Sequence, residues 1–153
     1  MPKTQIDLCE TIPRDAVVTA SDYHDGLHFA RHSHQRGQFA YAACGVITVF
    51  SDHGDWVVPP QRAIWVPAGV PHAMSMNGPV TMLNTYIRPL AATRLGLPAH
   101  CQVFGVSPLL QQLLMGAIDV APLYAEDQRE GHLMSLLLHE IAAMPPLSLN
   151  APL

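Results

Sequence analysis

The chain has 153 residues, of which 49% are hydrophobic and 13% are charged, so it can bury a core and is not of disordered composition. Its formal net charge is −4 and its eight lysines and arginines are scattered, which argues against direct binding of nucleic acid. The sequence shows neither a signal peptide nor an apolar run that spans a bilayer, and we expect a cytoplasmic protein without a membrane partner.

The first half of the chain, from about residue 15 to residue 90, has the pattern of short strands between turns. Alternating and β-branched residues predict strands over 16–20, 27–34, 38–44, 46–50, 56–58, 63–66 and 80–87. Prolines and glycines stand between these segments and mark the turns. Many short strands at such regular spacing indicate a sandwich or a barrel.

After residue 106 the apolar period becomes helical. Ser107-Pro108 predicts a helix start, with serine as the N-cap and proline at the first helical position. A second helix is predicted over 127–144. The apolar stripes of both helices are expected to pack on the barrel, to meet the same helices of a second chain, or both. The proline-rich tail, residues 145–153, is either a linker to a further domain or a frayed terminus.

The cysteines of this chain are isolated from one another. Cys9, Cys44 and Cys101 are odd in number and form no C-x-x-C pair, which indicates reduced thiols with a packing role. Cys44 shares a strand face with Gln38 by alternation, and a small buried thiol is its expected role. A catalytic cysteine is therefore not expected.

Three histidines form the most informative pattern in the chain. His32 and His34 are two positions apart, so on a strand they project from the same face. His72 follows a turn much later and can add a third nitrogen, if the two segments are neighbouring strands. Three neutral imidazoles suit a divalent transition metal, of which we favour zinc or nickel. The alternative is a metal-free barrel, or histidines on polar surface turns.

The same residues resemble the motifs of a known family. The first cupin motif is matched by Gly26, His32, His34, Gln38 and Gly45, with Gln38 in place of the usual glutamate. The second is matched in part by Pro67, Gly69 and His72, whereas its leading glycine falls at Gln61. More specifically, the stretch from His32 to His72 resembles the N-terminal cupin domain of AraC-type transcriptional regulators.

This resemblance implies a fold and a domain organisation. The fold is a mainly β cupin barrel (a double-stranded β-helix, or jelly roll) over residues 1–106, followed by two C-terminal helices over 107–144 that mediate homodimerisation. Residues 145–153 would begin a linker to a helix-turn-helix domain that is not part of this chain. The function implied is effector sensing and dimerisation that control DNA binding by that second domain. The runner-up is a free-standing metal-dependent cupin enzyme, an oxygenase or an isomerase.

The resemblance also implies a ligand set and a pocket. The metal ligands would be His32, His34, Gln38 and His72. Because Gln38 brings no negative charge, the metal would favour an anionic small-molecule effector as an additional ligand. The strands supply candidate effector contacts at Tyr41, Trp65, Met82 and Asn84, and Arg36 could meet an anion at the barrel mouth. A third hypothesis is a dimerising module whose pocket is vestigial.

Overall fold

The computed structural model describes residues 10–148. Its strands are β1 (Ala16–Tyr23), β2 (His28–His32), β3 (Gly37–Ser51), β4 (Gly54–Val58), β5 (Arg62–Val66), β6 (His72–Ile87), β7 (Gln102–Gly105) and β8 (Pro146–Leu147). The helices of the second half are α1 (Pro89–Arg94), α2 (Pro108–Ala117) and α3 (Arg129–Ala142). The mainly β architecture with C-terminal helices is the one that the sequence predicted.

Two long antiparallel strands form the frame of the barrel. β3 and β6 pair from Gly37 opposite Ile87 to Ser51 opposite His72, with irregular register around Cys44. β1 joins the second half of β6, and β5, β7 and β8 extend the sheet beyond the first half of β3. β2 and β4 flank the other half of the β3–β6 pair. The irregular register divides the long β3–β6 pair into two halves that contribute to one shared core.

Alternation along the strands separates two apolar cores. Ala40 of β3, Ile64 of β5 and Met82 of β6 face the barrel interior. There they meet Ile47 and Met74 from the other half of the β3–β6 pair. The intervening positions face outward and pack beneath the helices. This outer core contains Phe39, Tyr41, Trp65, Leu83, Leu110, Leu114, Met134 and Leu137. The helices therefore cover one outer face of the barrel.

Two strands are longer than their sequence patterns predict. The segments 38–44 and 46–50 belong to one strand, because Gly45, with φ of 77°, bends the chain without ending the ladder. The predicted strand 80–87 is only the second half of β6. Its first half, HAMSMNG, begins with histidine and carries serine and asparagine, which weakens the strand signal.

The helix start at Ser107 is confirmed in detail. The Ser107 hydroxyl accepts a hydrogen bond from the backbone N–H of Leu110 at 3.1 Å, with proline in the first turn. The second helix, predicted over 127–144, is α3. The sequence did not predict α1 or β7. Between residues 10 and 148, no helix combines the length and apolar character that crossing a membrane requires.

The beginning of the tail differs from the linker that the sequence predicted. Pro145 O accepts a hydrogen bond from Gly105 N at 3.1 Å, and β8 pairs with β7. The Gln102 side chain also donates to Leu147 O at 2.9 Å. This part of the tail is thus an edge strand of the barrel, held by backbone hydrogen bonds. Residues 149–153 lie outside the described part of the chain.

The cysteines divide between core and surface. Cys101 is 6% exposed and packs in the barrel core, as expected. Cys44 is exposed, because the irregular register on either side of it turns its side chain away from the face that alternation assigns. The expectation of a buried thiol at Cys44 was therefore wrong. Cys9 lies outside the described residues.

Gln61 occupies a backbone conformation that favours glycine. Its φ is 65°, and the hydrogen bond from Arg62 N to Pro59 O closes a turn with Pro60 and Gln61 at the centre. Left-handed backbone costs a side-chain-bearing residue about 1–2 kcal/mol, and glycine loses about 0.5–1 kcal/mol through its freer unfolded chain. The backbone strain of Gln61 is therefore larger than the entropy cost of a glycine at this position.

We therefore expect Gln61→Gly to raise the free energy of unfolding by up to about 1 kcal/mol. Urea unfolding followed by circular dichroism measures it. The control is Gln112→Gly on the exposed face of α2, where glycine should destabilise by a similar amount. Destabilisation by both substitutions would contradict the strain argument.

Candidate metal and ligand site

The three histidines meet where β2 ends and β6 begins. His32 is the last residue of β2 and lies directly opposite His72, the first residue of β6. His34 follows in the loop before β3. That loop is tied to the turn before β6, because Gly69 N donates to His34 O at 2.8 Å. Gly69 has φ of 77° in a turn closed by Val70 N and Pro67 O, so the glycine is required by the backbone.

The side chains of the triad converge on one point. Their nearest ring nitrogens all lie within 4.8 Å of one another. The ring centroids of His32 and His72 are 4.4 Å apart, and those of His32 and His34 are 4.7 Å apart. Two nitrogens on one tetrahedral zinc ion lie about 3.4 Å apart, so a metal would draw the ring nitrogens together by up to about 1.4 Å.

Hydrogen bonds fix which nitrogen faces the centre in two of the rings, those of His32 and His72. Nδ1 of His32 donates to Ala30 O at 2.6 Å, and Nδ1 of His72 donates to Val70 O at 2.9 Å. A carbonyl accepts only an N–H, so both Nε2 atoms carry the lone pair in the neutral rings. A backbone carbonyl on the second nitrogen is the usual support of a metal-binding histidine.

Two of the rings have buried nitrogens without a partner. Nε2 of His34 and Nε2 of His72 are inaccessible to solvent and make no hydrogen bond. Burial lowers the pKa of His34 to about 4; the nearby rings of His32 and His72 act in the same direction, and the neighbouring Gln38 side chain acts against them. Burial also lowers the pKa of His72. Both rings are therefore neutral at pH 7, which is the form that binds metal.

Gln38 stands beside the triad and completes the polar part of the site. It is 4% exposed, and its Nε2 donates to Asn84 Oδ1 at 2.8 Å. Its carbonyl oxygen is buried without a hydrogen-bond partner. A buried acceptor left in this state costs about 1–3 kcal/mol unless something binds it. The unpartnered nitrogens and this oxygen form a donor set that fits a divalent transition metal.

A small cavity of about 40 Å³ opens beside two of the three histidines, His32 and His34. It is lined by Tyr23, Phe29, His32, His34, Gln38, Met74, Met82, Asn84 and Tyr86. Such a volume accommodates about one or two water-sized groups beside the histidines. The polar groups lie together and the remaining wall is aromatic or methionine, so the cavity suits a compact ligand.

Comparison with known proteins identifies the family. The model of the AraC-like ligand binding domain matches residues 16–142. The chain belongs to this family. The HTH-type transcriptional regulator NimR of Escherichia coli (strain K12) is 29% identical over 128 residues, which are 84% of this chain and 46% of NimR. The chain thus spans less than half the length of this relative.

Solved structures agree with this AraC-like domain in fold. The apo form of a ToxT variant from Vibrio cholerae superposes with a TM-score of 0.62 and 6% identity, over 84% of this chain and 54% of ToxT. Wild-type ToxT with bound unsaturated fatty acid gives a TM-score of 0.59 and 7% identity, over 80% of this chain and 52% of ToxT. At this identity the likeness shows the fold alone.

The AraC-like domain brings only part of the predicted effector pocket together. Met82 and Asn84 line the cavity. Tyr41 and Trp65 lie on the opposite faces of their strands, in the core beneath the helices. The physical reason is strand alternation: Gln38 points into the barrel, so Tyr41, three positions along, points out.

Arg36 is likewise absent from the cavity and from the barrel mouth. It is 3% exposed, and its guanidinium donates to Arg14 O at 2.9 Å and to Ile12 O. It therefore holds the segment before β1 against the barrel. The guanidinium is buried and donates to backbone carbonyls, so Arg36 is not placed to contact an anion at the surface.

Sequence reasoning gave no weight to Phe29 and Met74 as cavity residues. One signal could have found Met74. His72, Met82 and Asn84 occupy even-numbered positions of β6, and side chains two apart on a strand share one face. Met74 is also even-numbered and therefore lies on the same face. Knowing that β6 begins at His72 would have been sufficient. Phe29 required the pairing of β2 with β6, which no pattern in the sequence specifies.

Proposed function

We propose that this domain is the effector-sensing part of a cytoplasmic AraC-type transcriptional regulator, and that its histidine triad holds a divalent transition metal, zinc or nickel. His32, His34 and His72 would be the nitrogen ligands and Gln38 an oxygen ligand. The observation that carries the proposal is the pair of buried, unpartnered Nε2 atoms aimed at a common centre. The metal would provide a binding point for an effector and would not support turnover.

The effector that this site supports is small and anionic. Three imidazoles and an amide leave the full double charge of a metal unbalanced, which favours an anion as a further ligand. The cavity of about 40 Å³ limits its size to a few atoms inside the barrel. The unsaturated fatty acid bound in the ToxT structure is much larger than this cavity, which therefore cannot hold a ligand of that size.

An enzymatic function has less support. Non-haem iron oxygenases commonly hold the metal with two histidines and one carboxylate. Among the described residues that line the cavity there is no carboxylate. An oxygenase or isomerase therefore remains the second candidate, and it requires turnover that depends on the bound metal.

DNA binding by the whole protein would reside outside this chain. NimR is named a helix-turn-helix regulator, and the chain covers 46% of it. The net charge of −4 is unfavourable for phosphate contacts. Gel-shift titration of the full-length protein, with and without metal, tests whether the metal-bound sensor changes DNA affinity. Equal affinity in both states would contradict a sensing role of the metal.

Homodimerisation through the helices is the remaining element of the proposal. Leu109 and Met115 of α2 and Leu136 of α3 are about half exposed, with values of 50%, 49% and 44%. Apolar side chains exposed on neighbouring helices are typical of an interface. Sedimentation equilibrium tests it, and a monomer at every concentration would contradict it.

Metal titration of the chelator-treated chain tests the central claim. Isothermal titration with zinc and then nickel should give about one ion per chain. A ligand that binds only the folded state raises the melting temperature by mass action, so the melting temperature should rise with the logarithm of the free metal concentration once that exceeds Kd. A sensor should respond further to small carboxylic acids, whereas a vestigial pocket should not. No binding of either metal would refute the proposed site.

The missing negative charge can be restored in one substitution. We expect Gln38→Glu to raise zinc affinity by about tenfold, because a carboxylate adds charge attraction worth at least about 1.4 kcal/mol. Asn84 can rotate its amide to donate to the new carboxylate. The metal-free variant should be less stable, since no cation then balances the buried negative charge.

Gln112→Glu is the matched control for this prediction. It makes the same charge change on the exposed face of α2, away from the triad. Competition with a chromogenic chelator measures both affinities. An equal gain in the two variants would show that net charge, and not ligand chemistry, is responsible.

A further inference from the structure

A second and larger hollow opens at the surface of the barrel, beside the turn before β6. This outer groove is bounded by the β3–β4 hairpin, the turn before β6 and the segment before β7. It is lined by Ser51, Asp52, His53, Trp56, Gly69, Val70, Pro71, Ala99, His100 and Cys101. Its volume is about 430 Å³, against about 40 Å³ for the cavity beside His32 and His34. The outer groove thus has the size of an ordinary small-molecule site, which that cavity does not.

The lining of the outer groove is mainly apolar. Trp56 and Val70 are half-buried and pack against the barrel core, and Pro71 is half-buried beside them. Cys101 adds a buried thiol that is 6% exposed. Burial raises the pKa of Cys101 to about 11, so this thiol is neutral and behaves as an apolar surface.

The polar groups of the groove do not select a charged ligand. The Asp52 carboxylate is paired with both guanidinium nitrogens of Arg31, at 2.6 and 2.7 Å. His53 and His100 are exposed at the rim and can each donate or accept one hydrogen bond. Trp56 and the two imidazoles supply aromatic rings, which favour stacking or edge contacts with a ring of the ligand.

We propose that the outer groove binds an uncharged organic molecule of one or two aromatic rings with a hydrogen-bonding group. The site is distinct from the triad cavity and does not depend on a metal. Its position also gives it a structural connection to the triad. Val70 O accepts from His72 Nδ1, and Gly69 N donates to His34 O, so the ligand would rest on the turn that holds two of the histidines.

The uncharged dye N-phenylnaphthylamine is a suitable probe, because its fluorescence rises when it leaves water. Titration of the metal-free chain should give a saturable rise with one site. Trp56 lies in the groove, whereas Trp65 is 1% exposed beneath the helices. Energy transfer to the dye should therefore fall in Trp56→Phe. A linear, unsaturable fluorescence increase would overturn the proposal.

A filled groove provides the decisive variant. Ala99 is exposed at the groove, so Ala99→Tyr adds a ring there without entering the core. We expect it to weaken dye binding by about tenfold or more. Ala142→Tyr makes the same change on the exposed end of α3 and should bind as the wild type does. Equal affinity in the two variants would overturn the proposal.

Cysteine alkylation is an independent readout of the same site. At about pH 9.5, where a fraction of the Cys101 thiol is ionised and can react, the dye should slow its modification by iodoacetamide, while modification of the exposed Cys44 stays unchanged. Peptide mass spectrometry resolves the two positions. Unchanged labelling of Cys101 at saturating dye would place the dye elsewhere and overturn the assignment. Because these measurements use metal-free protein, their outcomes can be interpreted even if the metal proposal fails.

Discussion

Replacing His72 with alanine is expected to lower the affinity of the chain for zinc or nickel by about a hundredfold. His72 is 0% exposed, and its ring is aimed by the hydrogen bond from Nδ1 to Val70 O at 2.9 Å. Alanine removes one of three nitrogen ligands and leaves a cavity that water fills only in part. Isothermal titration of chelator-treated protein, with a competing chelator for the tight wild-type complex, measures the change.

His28→Ala is the matched control for the metal prediction. His28 is exposed on β2, where its Nδ1 bonds the Ser75 hydroxyl at 2.8 Å, and it lies outside the triad. Its loss removes an imidazole from the same pair of strands, so surface binding of metal by histidines in general would fall in both variants. A reduction confined to His72→Ala assigns binding to the triad, and equal reductions would reject that assignment.

Gly37→Ala is expected to destabilise the domain by about 2–4 kcal/mol. A Cβ at Gly37 would lie 2.1, 2.7 and 2.8 Å from three ring carbons of Trp65. The ring is 1% exposed, and its Nε1 donates to Pro98 O at 2.8 Å, so it cannot turn away without losing that bond. Either β3 or the indole must shift in a close-packed core, which is costly.

Gly105→Ala is the comparison for this substitution. Gly105 also lies at a strand end, at the end of β7, but its added Cβ would be 3.4 Å from Pro145 Cγ, which is ordinary contact. We expect a change within about 0.5 kcal/mol there. Urea unfolding of both variants gives the free energies. Similar stability for the two would show that the Trp65 ring yields easily, contrary to the packing argument.

The sequence predicted the convergence of the three histidines better than it predicted the pocket around them. The spacing of His32 and His34 and the turn before His72 are local features, although His34 lies in the loop after β2 and not on the strand as predicted. The cavity wall depends on which face of each strand points inward. One irregular residue reverses that assignment, and the register is irregular on both sides of Cys44.

Arg36 shows a different reason for the limits of sequence reasoning. An arginine in a turn is usually solvated, and nothing near it in the sequence indicates otherwise. Its partners are backbone carbonyls of Ile12 and Arg14, which any residue type supplies. A contact of this kind leaves no trace in the pattern of side chains. By contrast, the Ser107 cap was predictable because both donor and acceptor lie within one helical turn.

The late position of β6 in the chain has a consequence for biosynthesis. β6 pairs with β1 along the full length of β1, pairs with β2 and β3, and contributes His72 to the triad. Until the ribosome has released β6, the earlier strands lack their central neighbour and expose their edges. Pairing so distant in sequence is slow to form. We therefore expect the nascent chain to need protection from aggregation until residue 87 has emerged, and the three histidines to come together only afterwards.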